Sequence, residues 1–241
     1  KDSVVSGGSS IQKVQKTSET DLNFVSNFFA NSRLHHIGRY RAHLRPLIMK
    51  LHREKVQVVK PNRDIDRRKI IAHVDMDCFF ASVALLRRPD LRLKPVCVAH
   101  GDGETSEISS ANYVAREFGL RAGMFMRTAK ELCKDLIILP YEFDEYARIS
   151  EVVYCILYKF ADEVEVVSCD EAYISLQGCL PGQGDSCTSV NTKRRVQLFM
   201  QHMQTEIHEA TGCTASFGVG RNKLVAKLAT SYAKKRNGPN S

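Results

Sequence analysis

A chain of 241 residues, 43% hydrophobic and 26% charged, carries enough apolar material for a folded core and does not belong to the disordered class. No apolar run approaches the ~18 residues that a membrane-spanning helix requires, and no basic-then-apolar leader opens it, so no membrane partner is expected. The net charge of +8 is lopsided: residues 1–69 hold 15 Lys and Arg against 6 Asp and Glu, whereas residues 70–241 hold 20 against 21. A basic arm on a near-neutral core suits a polyanion such as nucleic acid, although basic segments often only solubilise.

The chain opens on KDSVV, without Met, and is expected to be a piece of a longer protein. Residues 1–20 are rich in Ser, Thr and Gly without periodicity and read as a flexible lead-in. Behind Thr20 and Asp21, the residues Leu22, Val25, Phe28 and Phe29 recur at helical spacing. Ile37, Tyr40, Leu44, Leu47 and Ile48 predict a second helix, limited or kinked by Pro46. The polar stretch KPNRDIDRRK, residues 60–69, reads as a linker.

From residue 70 the segments alternate. IIAHV (70–74) predicts a strand and DCFFASVALLRR a helix; PVCVAH predicts a strand and SANYVAREFG a helix ending at Gly119. TAKELC is another short helix, and LIILP a buried strand closed by Pro140. A long helix from about Glu142 to Asp162 precedes VEVVSCDEAYISL, two apolar runs around an acidic turn, the pattern of a hairpin. A loop over 177–190 leads to the helix TKRRVQLFMQHMQTEIHEAT, the strand TASFGVG and the helix NKLVAKLATSYAKKR. The pattern predicts an α+β layer fold with helices on one face of a mixed or antiparallel sheet.

Eight cysteines form no CxxC pair and show no zinc-like spacing with His. Cys97 and Cys155 sit in apolar runs and read as small buried hydrophobes, a usage that suits a reducing compartment, cytosol or nucleus.

Carboxylates at strand ends are the candidate chemistry. Asp75 closes the first strand, and Asp77, ahead of CFFASV, reads as the cap of the next helix. Asp170 and Glu171 lie together at the hairpin tip, where two unpaired charges beside a core would repel. A pair of hard divalent ions such as Mg²⁺ would remove that cost and equip the site for in-line displacement at phosphorus. Structural carboxylates are the alternative.

HVDMDCFFASV, SANYVAREFGLRAGM, VVSCDEAYISL and SFGVGRNKLVAKLAT resemble, in order, the successive motifs of the Y-family, or translesion, DNA polymerases. The resemblance spans residues 70 to about 235 and implies a palm over 70–241 with small embedded fingers at about 95–140, the thumb and little finger being missing. It implies that Asp75, Asp170 and Glu171 are the metal-binding carboxylates, that Met76 lends its backbone carbonyl to the nucleotide-side metal, and that two Mg²⁺ ions are bound, with Mn²⁺ as the alternative ion. Phe80 matches the steric gate beneath the sugar, which rejects a ribose 2′-hydroxyl, while Phe79 keeps a core role. Ser110, Tyr113 and Arg116 match triphosphate contacts; their spacing of three would put them on one face at a helix start. Lys234 best fits the register of the lysine that completes the clamp, with Lys235 as the neighbour in KKRNGPN.

The arm FFANSRLHHIGRYRAHL, within residues 21–69, resembles the N-terminal digit of the deoxycytidyl transferase branch of that family. The match implies that Arg33 hydrogen-bonds the edge of incoming dCTP and that Leu34 takes the seat of the displaced template guanine. A planar guanidinium suits the two acceptors on cytosine's pairing edge. Phe125 borders the displaced base or packs in the core, and His35 and His36 are structural or phosphate-facing.

The expected function is that of a translesion polymerase adding dCMP to a primer 3′-hydroxyl opposite guanine or abasic and damaged sites, in the nucleus. Its partners would be primer–template DNA, dCTP and further translesion-synthesis proteins, the last through regions absent from this chain. The alternatives are a non-catalytic DNA-binding or scaffold module and another palm-type phosphotransferase such as a nucleotide cyclase.

Overall fold

A computed structural model describes residues 32–58, 70–161, 163–176 and 190–236. The helix expected behind Asp21, the 60–69 linker and most of the 177–190 loop lie outside the described residues. In chain order the elements are α1 (Arg33–Val58), β1 (Ile71–Met76), α2 (Phe79–Leu86), β2 (Val96–Ala99), β3 (Ile108–Ala111), α3 (Tyr113–Glu117) and α4 (Met126–Leu132). They continue with β4 (Ile137–Leu139), α5 (Phe143–Phe160), β5 (Glu163–Val166), β6 (Glu171–Ser175), α6 (Val190–Thr211), β7 (Ala215–Gly220) and α7 (Lys223–Arg236).

Two sheets organise the molecule. Four antiparallel strands run β5-β6-β1-β7, and three run β3-β2-β4 with β2 and β4 parallel. In the larger sheet Ala72, Val74, Met76, Ala172 and Ile174 join Tyr146, Ile149, Val153 and Leu157 of α5 and Met200, Met203 and Ile207 of α6 in one core. The smaller sheet has its own core, with Cys97, Ile108, Leu120, Met126 and Cys133 at its centre. This is the α+β fold expected, with the addition that α7 crosses the remaining face of the larger sheet.

That crossing is possible because Gly218 has no side chain. A Cβ there would meet the backbone N of Thr230 at 2.1 Å and the carbonyl of Ala226 at 2.2 Å. Gly218 pairs with His73 across β1 and β7, so α7 lies directly over the middle of β1.

Four expectations need correction. Pro46 does not limit the arm helix, which runs through it over Arg33–Val58. An interior proline costs about 3 kcal/mol. Tyr40 and Leu44, both buried in the core with α5, offset it at about 1.5–3 kcal/mol each. Cys155 is exposed, because on α5 it points away from the face that buries Val153, Tyr154, Ile156 and Leu157. SANYVAREFG is not one helix: Ser110 ends up in β3, and only Tyr113–Glu117 is helical. Asn112 makes the break, since its Oδ1 accepts from the amides of Ala115 (2.9 Å) and Val96 (3.0 Å). Asp77 does not cap α2, whose N-cap is Cys78 in the left-handed region (φ 47°) without a side-chain cap bond.

Candidate active site

The carboxylates converge because of strand register. Asp75, near the end of β1, pairs with Glu171 at the start of β6 and with Ser216 on β7. Asp170 precedes Glu171 in the turn, and its carbonyl accepts from the Met76 amide (3.0 Å). Tyr154 of α5 secures this turn from the core, its hydroxyl lying 2.7 Å from the carbonyl of Ser168 and 2.9 Å from that of Glu171. Asp77, released from any capping role, accepts from Ser216 Oγ (2.7 Å).

Helix α7 supplies the opposite charge. Lys223, Lys227 and Lys234 recur at spacings of four and seven, so they share one face. Lys223 bonds Glu165, and Lys227 bonds Oε1 of Glu171. Lys234 Nζ donates to Asp75 Oδ1 (2.6 Å) and to the Met76 carbonyl (3.1 Å), and lies 3.5 Å from Asp77 Oδ1. The side chain of Lys235 lies outside the described residues; Lys234 reaches Asp75.

The two carboxylates titrate in opposite directions. Burial raises the Asp75 carboxyl above its ordinary range, and Asp170 and Glu171 add to the rise, while Lys234 only partly opposes it. Burial also acts upward on Glu171, but the hydrogen bonds from Lys227 and His73 overcome it and leave its carboxyl below the usual range. His73 escaped the sequence reading. It is 1% exposed on β1, with Nε2 2.6 Å from Glu171 Oε1 and Nδ1 3.0 Å from Thr230 Oγ1. The available signal was a polar residue inside the apolar run IIAHV.

The donor set suits a cation, since the Lys234 ammonium already rests on Asp75 Oδ1 and the Met76 carbonyl. Asp170 points elsewhere: its Oδ1 accepts from Ser168 Oγ at 2.5 Å. Among the described residues no three His, Cys, Asp or Glu side chains close into a metal cage. Completing one requires Asp170 to turn from Ser168 and Lys234 to withdraw.

Beside the carboxylates, Phe80 is buried, stacked on Tyr146 (centroids 4.3 Å apart, 26° between planes) and edge-on to Tyr141 at 6.2 Å. Phe79 is a core residue, as expected. Ser110 is buried and its Oγ accepts from the Ala81 amide at 3.4 Å, so it faces α2 rather than a helical phosphate face. Tyr113 opens α3; its hydroxyl is pushed well up by burial first and then by Asp77. Arg116 donates from Nε to the Ala111 carbonyl (3.0 Å), with its guanidinium 5.4 Å from the Tyr113 ring centre.

The arm approaches the same neighbourhood. His36 stacks on Phe143 at 3.7 Å and 9°, Phe143 stacks on Tyr141 at 4.9 Å and 16°, and Tyr141 meets Phe80. Tyr40 donates to the Phe143 carbonyl (3.4 Å), and His43 Nε2 lies 3.0 Å from Glu151. The backbone of Arg33 and Leu34 falls in the first turn of α1; their side chains lie outside the described residues. His35 Nε2 is 3.3 Å from Arg39, and Phe125 is exposed.

Residues 74–231 match the family model described as impB/mucB/samB. The DNA repair protein REV1 of Arabidopsis thaliana is 39% identical over 221 residues, which covers 89% of this chain and 19% of that protein. This chain therefore spans about a fifth of that relative's length. A Y-family DNA polymerase chimera of Dbh and Dpo4 superposes with a TM-score of 0.60 at 30% identity, covering 68% of this chain and 46% of that one. An insertion ternary complex of Dbh DNA polymerase gives 0.59 at 30% identity, with the same coverage.

Proposed function

This chain belongs to the impB/mucB/samB family, that of the Y-family DNA polymerases, and from that premise we propose that it is the palm and fingers of a translesion polymerase that transfers dCMP. In this reading residues 21–69 are the digit and its linker, and 70–241 the palm, with the fingers embedded at about 95–140. The observation that carries it is the register of Asp75 against Glu171, with Asp170 in the adjoining turn and an ammonium held between Asp75 and the Met76 carbonyl.

Y-family polymerases depend on divalent metal. Asp75, Asp170, Glu171 and the Met76 carbonyl would hold two Mg²⁺ ions, with Mn²⁺ as the alternative. When bound, such ions lower the pKa of the primer 3′-hydroxyl and neutralise charge on the triphosphate. The chain's own residues do the rest. Lys234 leaves Asp75 for the phosphates, and Arg116, anchored through Nε, offers its terminal nitrogens to the same oxygens. Tyr113 and Ser110 border that clamp. Phe80, pinned by Tyr146, leaves no room for a ribose 2′-hydroxyl. The primer oxygen attacks the α-phosphate, and pyrophosphate leaves in line.

Arg33 and Leu34 choose dCTP in this reading: Arg33 by its donors to O2 and N3 of cytosine, Leu34 by holding out the template base, which costs a few kcal/mol of unstacking. The basic arm meets primer–template phosphates, the cellular setting is the nucleus, and other translesion proteins engage regions beyond this chain. A ribonucleotide cyclase would have no use for Phe80. The test is single-nucleotide extension with each dNTP opposite guanine, adenine and an abasic site. Preference for dCTP opposite all three is expected; strict dependence on the template base would remove the deoxycytidyl transferase reading and leave the polymerase standing.

A further inference from the structure

His73 stands at the centre of β1, paired with Tyr173 on one side and Gly218 on the other, and α7 closes over it. A buried imidazole is costly unless both ring nitrogens are satisfied, and here both are. Nε2 is 2.6 Å from Glu171 Oε1, and Nδ1 is 3.0 Å from Thr230 Oγ1. A carboxylate only accepts, so Nε2 carries the proton and donates to Glu171, while Nδ1 meets the Thr230 hydroxyl, which also reaches the carbonyls of Ala226 (3.1 Å) and His73 (3.2 Å). Thr230 thus holds the far side of the ring and fixes its orientation.

Lys227 also reaches Oε1, but its side chain is 53% exposed and long enough to swing away. His73 has nowhere else to go. Because both donors meet Oε1, Oε2 is the oxygen left to a cation. We propose that His73, oriented by Thr230, is a positioning residue for Glu171: it locks the carboxylate so that Oε2 faces the metal, and it stays when Lys227 gives way. The inference rests on the reading of Glu171 as a metal-binding carboxylate. A hydrogen-bonded partner behind a metal-binding side chain is a general means of fixing its direction.

The test is direct Mn²⁺ binding by the full chain, followed by electron paramagnetic resonance, with thermal melting measured alongside. His73→Leu is expected to weaken Mn²⁺ binding about 10- to 100-fold, and His73→Gln, which keeps a donor, to recover most of it. A purely structural role predicts a lower melting temperature with unaltered Mn²⁺ affinity, and that result would overturn the proposal. Should the Leu variant fail to fold, Thr230→Val removes only the hydroxyl. Weaker Mn²⁺ binding at parental melting temperature supports the proposal, and parental Mn²⁺ binding refutes it. Glu171→Ala separates the two levels. If it too binds Mn²⁺ like the parent, the metal reading of Glu171 falls and takes this inference with it; if it loses Mn²⁺ while His73→Leu and Thr230→Val do not, only the role of His73 is wrong.

Discussion

Lys234 on α7 places its ammonium 2.6 Å from Asp75 Oδ1 on β1, 159 residues earlier in the chain, and the same nitrogen holds the Met76 carbonyl. A cation delivered by the fold occupies the position proposed for a metal ion. On the proposed reading lysine and metal would compete for one carboxylate, and a triphosphate would give the displaced lysine somewhere to go.

Replacing Lys234 with Met should raise KM for dCTP and lower kcat/KM by about 10- to 100-fold, since a charge-assisted hydrogen bond contributes about 1.5–3 kcal/mol. Steady-state extension assays measure both constants. Unchanged kinetics would move the clamp to another residue, Lys235 first.

Asp170→Ala combined with Glu171→Ala should abolish dCMP transfer, a loss of about 10³-fold or more given the several kcal/mol that bound metal supplies. Primer–template binding, measured by fluorescence anisotropy, should largely survive and weaken steeply with salt. Retained transfer would favour the scaffold reading.

Gly218→Ala tests the α7 crossing. Its Cβ cannot fit 2.1 Å from Thr230 N, so the helix must lift from the sheet. Overpacking of this kind costs about 1–3 kcal/mol. Thermal melting should fall, and nucleotide affinity should fall with it, because Lys227, Thr230 and Lys234 all ride on that helix.

The opposed shifts of Asp75 and Glu171 give opposite stability effects. Burial raises Asp75 from its ordinary 3.8, so the folded state holds that proton more tightly than the unfolded chain, and the ionised form costs stability at neutral pH. Asp75→Asn should therefore raise the melting temperature at pH 7, with the gain fading as pH falls through the raised folded pKa and gone below 3.8. Glu171, lowered from 4.5, contributes stability that is present above that value and lost as pH falls through its folded pKa. Glu171→Gln should lower the melting temperature at pH 7. Added Mg²⁺ should stabilise the parent and not Asp75→Asn.

The His36–Phe143 stack couples the arm to the palm. Phe143→Leu should cut the preference for dCTP over the other nucleotides by about 2- to 10-fold, the worth of a stacked pair at 0.5–1.5 kcal/mol. Templated extension should persist. Competition assays with mixed nucleotides read the ratio, and an unaltered ratio would detach the arm from nucleotide choice.

The strands were legible because their residues alternate or run apolar between turn signals, and Asp75, Asp170 and Glu171 stood out as charges where such runs end. Hydrophobic period and turn chemistry are local, so the sequence by itself determined the elements from β1 to α7, apart from β3. There Ser110 and Asn112 look helical until Asn112 finds the amides of Val96 and Ala115. Pro46 misled for the same reason: a local penalty was outweighed by Tyr40 and Leu44 packing against a helix about 100 residues away. Asp77 faced Ser216 rather than a helix end. His73 is marked only as a polar residue in an apolar run, and Lys227 and Thr230 carry no local mark of their task. What joins them to Glu171 is strand register and the missing Cβ of Gly218, contacts between distant parts of the chain that only tertiary packing decides.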